Sequence, residues 1–273
     1  MVIVGRMVAK TPNQHIHFNE RGDGRPVIVL HGLFGNSNNL GALSRSLAEH
    51  YRVYSLDLPN HGRSAWTKDT SLRAQADSLL EWMANKGLNQ VAIAGHSLGG
   101  KVAMEVALQA PELVHALVVA DIAPVAYPPH HDEVFAALDA VAAGGCTSRA
   151  QAQSVMQQCL QEDGVIDFLL MSLKRSASGC YDWRFNVAGL KQGYGAVRAA
   201  PEQGRTYAGP VLFVKGGDSD YILPEHREQV TGFFPSAELK TMPGCGHWLH
   251  AQQPALFNSI VGRFLIRHYS GRE

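Results

Sequence analysis

The segment Gly95-His-Ser-Leu-Gly99 holds a serine between two glycines at the end of an apolar run. This G-x-S-x-G spacing, after a buried strand and before an amphipathic helix, predicts a sharp turn that presents the Ser97 hydroxyl as a nucleophile. Glycines are needed because side chains at those two positions would clash with the neighbouring strand and helix. The helix N-terminus that follows favours a developing oxyanion. The alternative is that Ser97 only caps that helix.

A serine hydroxyl needs a base that takes up its proton. The stretch Pro243-Gly-Cys-Gly-His247 puts a histidine in a glycine-rich loop directly after the last predicted strand. We predict that His247 is the general base, since imidazole can accept a proton near neutral pH and later return it to the leaving group. His250 is the alternative, but it falls where the next helix should begin.

An oxyanion also needs backbone donors. Leu30-His-Gly-Leu-Phe-Gly35 follows the first buried strand, and Gly32 allows a close backbone approach there. We therefore predict that the Leu33 and Leu98 N–H groups bind the oxyanion, the alternative being a purely structural glycine turn.

The acid that orients the base has several candidates. Asp121 ends one apolar run, and Asp218 and Asp220 follow another, so all three lie near the carboxyl ends of predicted parallel strands. Spacing does not choose among them. Asp57 follows an earlier run and is interpreted as a structural residue that holds its own loop through backbone hydrogen bonds.

Short, nearly continuous apolar runs are typical of strands buried on both faces of a parallel sheet. Helical patterns separate the runs, which predicts a doubly wound α/β domain. An antiparallel hairpin of Met7–Lys10 and His15–Asn19 is predicted to precede them. The predicted strands are 27–30, 53–56, 91–94, 117–120, 211–214 and, at an edge, 238–242; the predicted helices are 38–50, 71–86 and one that runs from Ser97 to Pro111.

The alternation stops between residues 125 and 207. That stretch opens with a proline-rich turn and then shows three helical patterns, at Asp132–Ala143, Ser148–Gln161 and Val165–Lys174. Since ligands of open α/β folds bind at the carboxyl edge of the sheet, we interpret this insertion as a lid over that edge.

Composition excludes several classes of function. Lys and Arg together number 24, as do Asp and Glu, and this balance argues against a nucleic-acid partner. The N-terminus does not resemble a signal peptide, and no apolar run is long enough for a membrane helix. The four cysteines lack metal or disulfide spacing, and neither His15-x-His17 nor His130-His131 has further ligands nearby. We expect a cytoplasmic protein without membrane insertion, metal or cofactor.

Several motifs together resemble the α/β-hydrolase superfamily, and more narrowly the small bacterial esterases of the YbfF type and their abhydrolase-domain relatives. The motifs are His31-Gly-Leu-Phe-Gly35 with Asn38-Asn-Leu40, Asn60-His-Gly62, Gly95-His-Ser-Leu-Gly-Gly-Lys101, Asp121-Ile-Ala-Pro124, Trp183-Arg-Phe-Asn186 and Gly246-His-Trp248. The resemblance implies a mostly parallel eight-stranded sheet with a helical cap inserted after strand 6. The core would then be residues 1–124 and 208–273, and the cap residues 125–207.

The resemblance also bears on the acid. In this family the aspartate of the Asp-Ile-Ala-Pro motif completes the triad, which implies Asp121 here. Ser219 matches the serine of the later family loop and would help to orient His247. Asp218 and Asp220 depart from the family pattern, so Asp220 stays the alternative acid.

The predicted function is hydrolysis of small to medium acyl esters, with acyl thioesters as an extension, through a Ser-His-Asp triad and an acyl-enzyme. The alternatives are a C–C bond hydrolase or perhydrolase on the same fold, and a small-molecule-binding protein that has lost catalysis. The sequence does not predict the oligomeric state.

Overall fold

The computed structural model describes residues 15–270. The strands are β1 (Phe18–Arg21), β2 (Pro26–Leu30), β3 (Arg52–Leu56), β4 (Val91–His96), β5 (Val114–Ala120), β6 (Leu173–Arg175), β7 (Tyr181–Trp183), β8 (Val211–Gly216) and β9 (Ala237–Met242). The helices are α1 (Gly41–Leu47), α2 (Leu72–Asn85), α3 (Leu98–Gln109), α4 (Asp132–Ala143), α5 (Arg149–Met156), α6 (Asp163–Leu170), α7 (Val187–Gln192), α8 (Tyr194–Val197), α9 (Arg227–Phe233), α10 (Leu249–Gln252) and α11 (Pro254–Tyr269).

The main sheet has the strand order β1-β3-β2-β4-β5-β8-β9. All neighbours pair in parallel except β1, which runs antiparallel to β3. The carboxyl ends of the central strands therefore lie at one edge of the sheet. The loops that follow β2, β4, β5, β8 and β9 meet there.

The core lies on both faces of this sheet. In β2, Val27 and Val29 pack in one apolar cluster with α1 and α11, whereas Ile28 and Leu30 pack in the other with α2 and α3. Because successive strand residues point to opposite faces, a strand covered on both faces must be apolar throughout. This confirms the interpretation of the continuous apolar runs.

The predicted α/β class is confirmed, while the strand count differs. Within residues 15–270 the main sheet has seven strands, not the eight that were expected. The predicted arm Met7–Lys10 lies outside the described residues. Its predicted partner, His15–Asn19, overlaps only the first two residues of β1.

Helix α1 begins three residues later than predicted, at Gly41. The Asn39 side chain accepts a hydrogen bond from Asn36 N at 2.5 Å, and the Asn36 side chain accepts one from Asn38 N at 3.1 Å. Asparagine side chains that bond nearby backbone in this way compete with helix formation.

Helices α4–α8 lie in the chain between β5 and β8. The predicted helix at Val165–Lys174 ends instead at Leu170, because Leu173–Arg175 pairs antiparallel with Tyr181–Trp183 as β6 and β7. This small hairpin has no counterpart in the sequence-based expectations. The division into a core and a cap at residues 125 and 207 stays a prediction.

Candidate active site

Ser97 occupies a strained turn between β4 and α3. Its backbone has φ 53° and ψ −118°, a conformation that side-chain-bearing residues rarely adopt. A Cβ on Gly95 would lie 2.2 Å from the Gly99 carbonyl oxygen, and one on Gly99 would lie 2.5 Å from that of Leu30. The two flanking glycines are therefore required by space, as predicted.

Ser97 differs from the serines that only cap helices. The side chains of Ser71 and Ser148 accept hydrogen bonds from Ala74 N at 3.2 Å and Gln151 N at 3.1 Å. The Ser97 side chain makes no such bond to α3. Ser97 therefore does not act as a side-chain cap of α3.

His247 and Asp121 are in direct contact. His247 Nδ1 donates to Asp121 Oδ2 at 2.8 Å, while the imidazole stays 18% exposed and the carboxylate is fully buried. With its Nδ1 proton held in this way, the neutral ring has its basic lone pair at Nε2.

The Asp121 carboxylate accepts two further hydrogen bonds. Gly216 N donates to Oδ1 at 2.9 Å, and the Ser219 hydroxyl donates to Oδ2. Ser219 and His247 thus bond to the same carboxylate oxygen. Charge-assisted bonds of this kind fix the carboxylate in one orientation.

The other sequence candidates lie elsewhere. Asp218 and Asp220 are exposed, whereas His250 is buried in α10. Burial lowers the pKa of His250 to about 4, and the nearby His247 adds to this effect. The Nδ1 atom of His250 has no hydrogen-bond partner among the described residues.

The predicted oxyanion donors sit on two different elements. Leu33 follows β2, and Leu98 is the first residue of α3. Both residues line the same cavity as Ser97. Within residues 15–270, neither the Leu33 nor the Leu98 N–H donates a hydrogen bond.

Two buried histidines hold the loop that contains Leu33. His61 Nε2 accepts from Phe34 N at 3.1 Å, and His31 Nε2 accepts from Leu58 N at 3.0 Å. In both rings, Nε2 must carry no proton in order to accept these bonds. Burial lowers the pKa of His31, and it lowers that of His61 to about 3.

His96 holds the loop that carries His247. The His96 Nε2 atom donates to the His247 carbonyl oxygen at 2.8 Å. Burial lowers the pKa of His96 well below its ordinary value, and the neighbouring His250 and His247 act in the same direction. The ring is therefore a neutral donor near pH 7.

A cavity of about 350 Å³ opens beside these groups. Its apolar lining includes Val134, Val165, Phe168, Leu169 and Trp248. Its polar lining includes Lys101, His130, His131, Tyr194, Arg198 and Tyr221, as well as His247. Residues from α4, α6 and α8 contribute to it, so the segment between β5 and β8 forms part of its wall.

Other expectations concern the loop after β3, metal ligands and membrane helices. Asp57 accepts from Ser37 N at 2.6 Å and from Arg63 N at 2.9 Å, which confirms its structural role in the loop. In the described part of the chain, no three His, Cys, Asp or Glu side chains are grouped as metal ligands. No helix within residues 15–270 has the length and apolar character that crossing a bilayer requires.

Sequence reasoning missed several residues around the site. These are Tyr221, which stacks on His247; His61, which holds Phe34; Ser172, which donates to the Phe34 carbonyl; and the Asn60–Asn186 pair. Asn60 and Asn186 stood inside recognised motifs, but their partnership spans 126 residues. No local pattern reports such contacts.

Residues 27–260 match the model of the alpha/beta hydrolase family. The chain belongs to this family. The match confirms the resemblance inferred from the motifs and agrees with the parallel sheet and its carboxyl-edge cavity.

Individual relatives cover most of the chain. Esterase YbfF of Escherichia coli (strain K12) is 36% identical over 241 residues, which are 88% of this chain and 92% of that protein. The sn-1-specific diacylglycerol lipase ABHD11 of Mus musculus is 36% identical over 88% of this chain and 80% of its own. The solved structure of a marine microorganism esterase has a TM-score of 0.89 and 34% identity, and the match covers 93% of this chain and all of that one.

Proposed function

We propose that this α/β-hydrolase is a serine carboxylic-ester hydrolase that acts on small to medium acyl esters through Ser97, His247 and Asp121. Relatives that carry the names esterase and lipase support the enzyme class. The observation that carries the residue assignment is the 2.8 Å bond from His247 Nδ1 to Asp121, in a cavity that Ser97 also lines.

The proposed reaction begins with attack of Ser97 Oγ on the acyl carbon, while His247 Nε2 takes up the hydroxyl proton. Asp121 stays ionised and stabilises the imidazolium that forms. The Leu33 and Leu98 N–H groups stabilise the oxyanion. The imidazolium then gives its proton to the leaving alcohol, and water hydrolyses the acyl-enzyme by the same route. No cofactor takes part in these steps.

The cavity supports the proposed substrate size. Its volume of about 350 Å³ lies at the lower end of the range of small-molecule sites, roughly 300–1,000 Å³. We propose that residues 125–207 act as a cap, and that its helix α6 encloses the acyl chain against Trp248 of the core. Thioesters present the same acyl carbon and belong to the proposed substrate range.

Labelling with a fluorophosphonate tests the nucleophile. We expect covalent modification at Ser97 in the wild type and its loss in Ser97→Ala. Circular dichroism checks that both proteins are folded. A wild type that is not labelled at Ser97 would contradict the proposal. Hydrolysis of p-nitrophenyl and acyl-CoA esters of increasing chain length then measures whether kcat/KM peaks at short to medium acyl groups.

A further inference from the structure

The aromatic ring of Tyr221 covers one face of the His247 imidazole. The two ring centroids are 3.9 Å apart and the ring planes differ by 23°. The hydrogen bond to Asp121 fixes one edge of the imidazole but leaves the ring able to tilt about that bond. A stacked ring restricts this tilt, because the two faces must stay nearly parallel to keep their contact.

Hydrogen bonds hold both the backbone and the side-chain hydroxyl of Tyr221. The backbone carbonyl oxygen of Tyr221 accepts from the Tyr127 hydroxyl at 2.5 Å, and that hydroxyl accepts from Ala123 N at 2.8 Å. At the other end, the Tyr221 hydroxyl lies 2.7 Å from His130 Nε2. Both partner side chains come from the short stretch 127–130, which joins β5 to α4.

The direction of the His130 bond follows from its other nitrogen. His130 Nδ1 lies 2.9 Å from the Pro128 carbonyl oxygen, which can only accept. The neutral ring therefore carries its proton on Nδ1, and Nε2 accepts from the Tyr221 hydroxyl. This bond connects the start of the predicted cap to a ring that touches His247.

We propose that Tyr221 is a positioning residue for His247, and that His130 links its placement to the predicted cap. The inference rests on the proposed function, in which His247 is the base. The Tyr221 ring holds the imidazole in one orientation for the proposed transfer of the Ser97 proton to Nε2. Its π face lies against the ring that becomes positively charged during the reaction. Movement of the stretch 127–130 would release the tyrosine and misplace the base.

Substitutions at Tyr221 separate the ring from its hydroxyl. Tyr221→Leu removes the stacked ring and should slow both ester turnover and fluorophosphonate labelling about 2- to 12-fold, the effect expected for one aromatic pair. Tyr221→Phe keeps the ring and should restore most of this loss. Tyr181→Leu makes the same change on a half-buried tyrosine of β7 that does not line the cavity, and should leave both rates unchanged.

The link to His130 is tested by a double-mutant cycle. Tyr221→Phe and His130→Ala each break the same hydrogen bond, so they should lower the labelling rate by the same small factor. The double variant should then be no slower than either single variant. Additive losses would overturn the link.

Proton NMR of His247 supplies a readout that does not depend on turnover. The stacked Tyr221 ring should shift the His247 Cε1–H resonance upfield in the wild type and in Tyr221→Phe. Tyr221→Leu should remove this contribution and move the resonance downfield, while the His96 and Trp248 rings, at 4.7 Å and 5.7 Å from the imidazole, stay in place. If Tyr221→Leu does not fold, the wild-type resonance still tests the stacking on His247, and the cycle with His130→Ala still tests the link to His130.

The outcomes distinguish the two proposals. A wild type that neither hydrolyses esters nor labels at Ser97 would contradict the proposed function, while the NMR shift would still report on the stacking. An active wild type whose labelling rate is the same in Tyr221→Leu and Tyr181→Leu would overturn the positioning role. A missing upfield shift in the folded wild type would overturn it as well.

Discussion

Asp121→Asn should leave a folded protein with almost no esterase activity. The substitution changes one buried oxygen to an NH₂ group and preserves the shape of the side chain. Three donors surround the native carboxylate: Gly216 N on Oδ1, and His247 Nδ1 and the Ser219 hydroxyl on Oδ2. The amide has only one oxygen for them, so its orientation decides the effect.

The backbone selects the harmful orientation. The Gly216 N–H cannot turn away, and placing the NH₂ group against it would cost about 1–3 kcal/mol for an unmet buried donor. The amide oxygen therefore stays on Gly216, and the NH₂ group points at His247 and Ser219. Ser219 can rotate its hydroxyl to accept, but His247 can accept at Nδ1 only by moving its proton to Nε2. An imidazole protonated at Nε2 cannot take the Ser97 proton, and a wrong tautomer of this kind lowers kcat by about 10⁴-fold.

The assay is hydrolysis of p-nitrophenyl butyrate, with the fraction of labelled Ser97 and the thermal unfolding midpoint measured on the same samples. Asp220→Asn is the matched control, because it makes the same chemical change on an exposed carboxylate one residue from Ser219. We expect its kcat to stay within about twofold of wild type, as is usual for a surface change. A folded Asp121→Asn that keeps a tenth of the wild-type kcat would refute the reasoning, and so would a collapse of kcat in Asp220→Asn.

Three further predictions concern the turn, the oxyanion loop and pH. Gly95→Ala should lower the free energy of unfolding by about 3 kcal/mol, measured with urea, since its Cβ would lie 2.2 Å from the Gly99 oxygen. The control Gly232→Ala should not destabilise the fold, because no atom lies within 4 Å of its Cβ. His61→Ala leaves the Phe34 N–H without its acceptor and should lower kcat about tenfold. This is less than the roughly 10²–10³ lost when an oxyanion donor is removed, because the Leu33 N–H would be displaced and not lost. His15→Ala on an exposed side chain should leave kcat unchanged. Burial lowers the pKa of His61 and His131 to about 3 and that of His250 to about 4. The unfolded imidazoles take up protons below about pH 6.5 and the folded ones do not, so the free energy of unfolding should fall from pH 6.5 towards pH 4 by about 1.4 kcal/mol per pH unit for each histidine. Urea unfolding at pH 7.5 and 5.5 measures this loss, and equal stabilities would contradict it.

Much of the fold could be predicted from the sequence because its signals are local. The runs 27–30, 91–94 and 211–214 each lie within an observed strand, since a strand covered on both faces is apolar along its length. The glycines around Ser97 report the space that the turn leaves, which is also a local constraint. Helix ends were less predictable, as at Gly41, where asparagine side chains replace the helical bonds.

The sequence by itself determined the strained serine turn, the α/β class and a short set of acid candidates. It did not choose among Asp121, Asp218 and Asp220 by spacing, because each follows a strand that ends at the same edge of the sheet. Only the tertiary structure decided which carboxylate touches His247, since that depends on how β5, β8 and β9 are aligned beside one another. The same holds for Tyr221 and His130, which meet across 91 residues of chain. A contact between distant segments is set by packing, and packing leaves no periodic trace in the residues that make it.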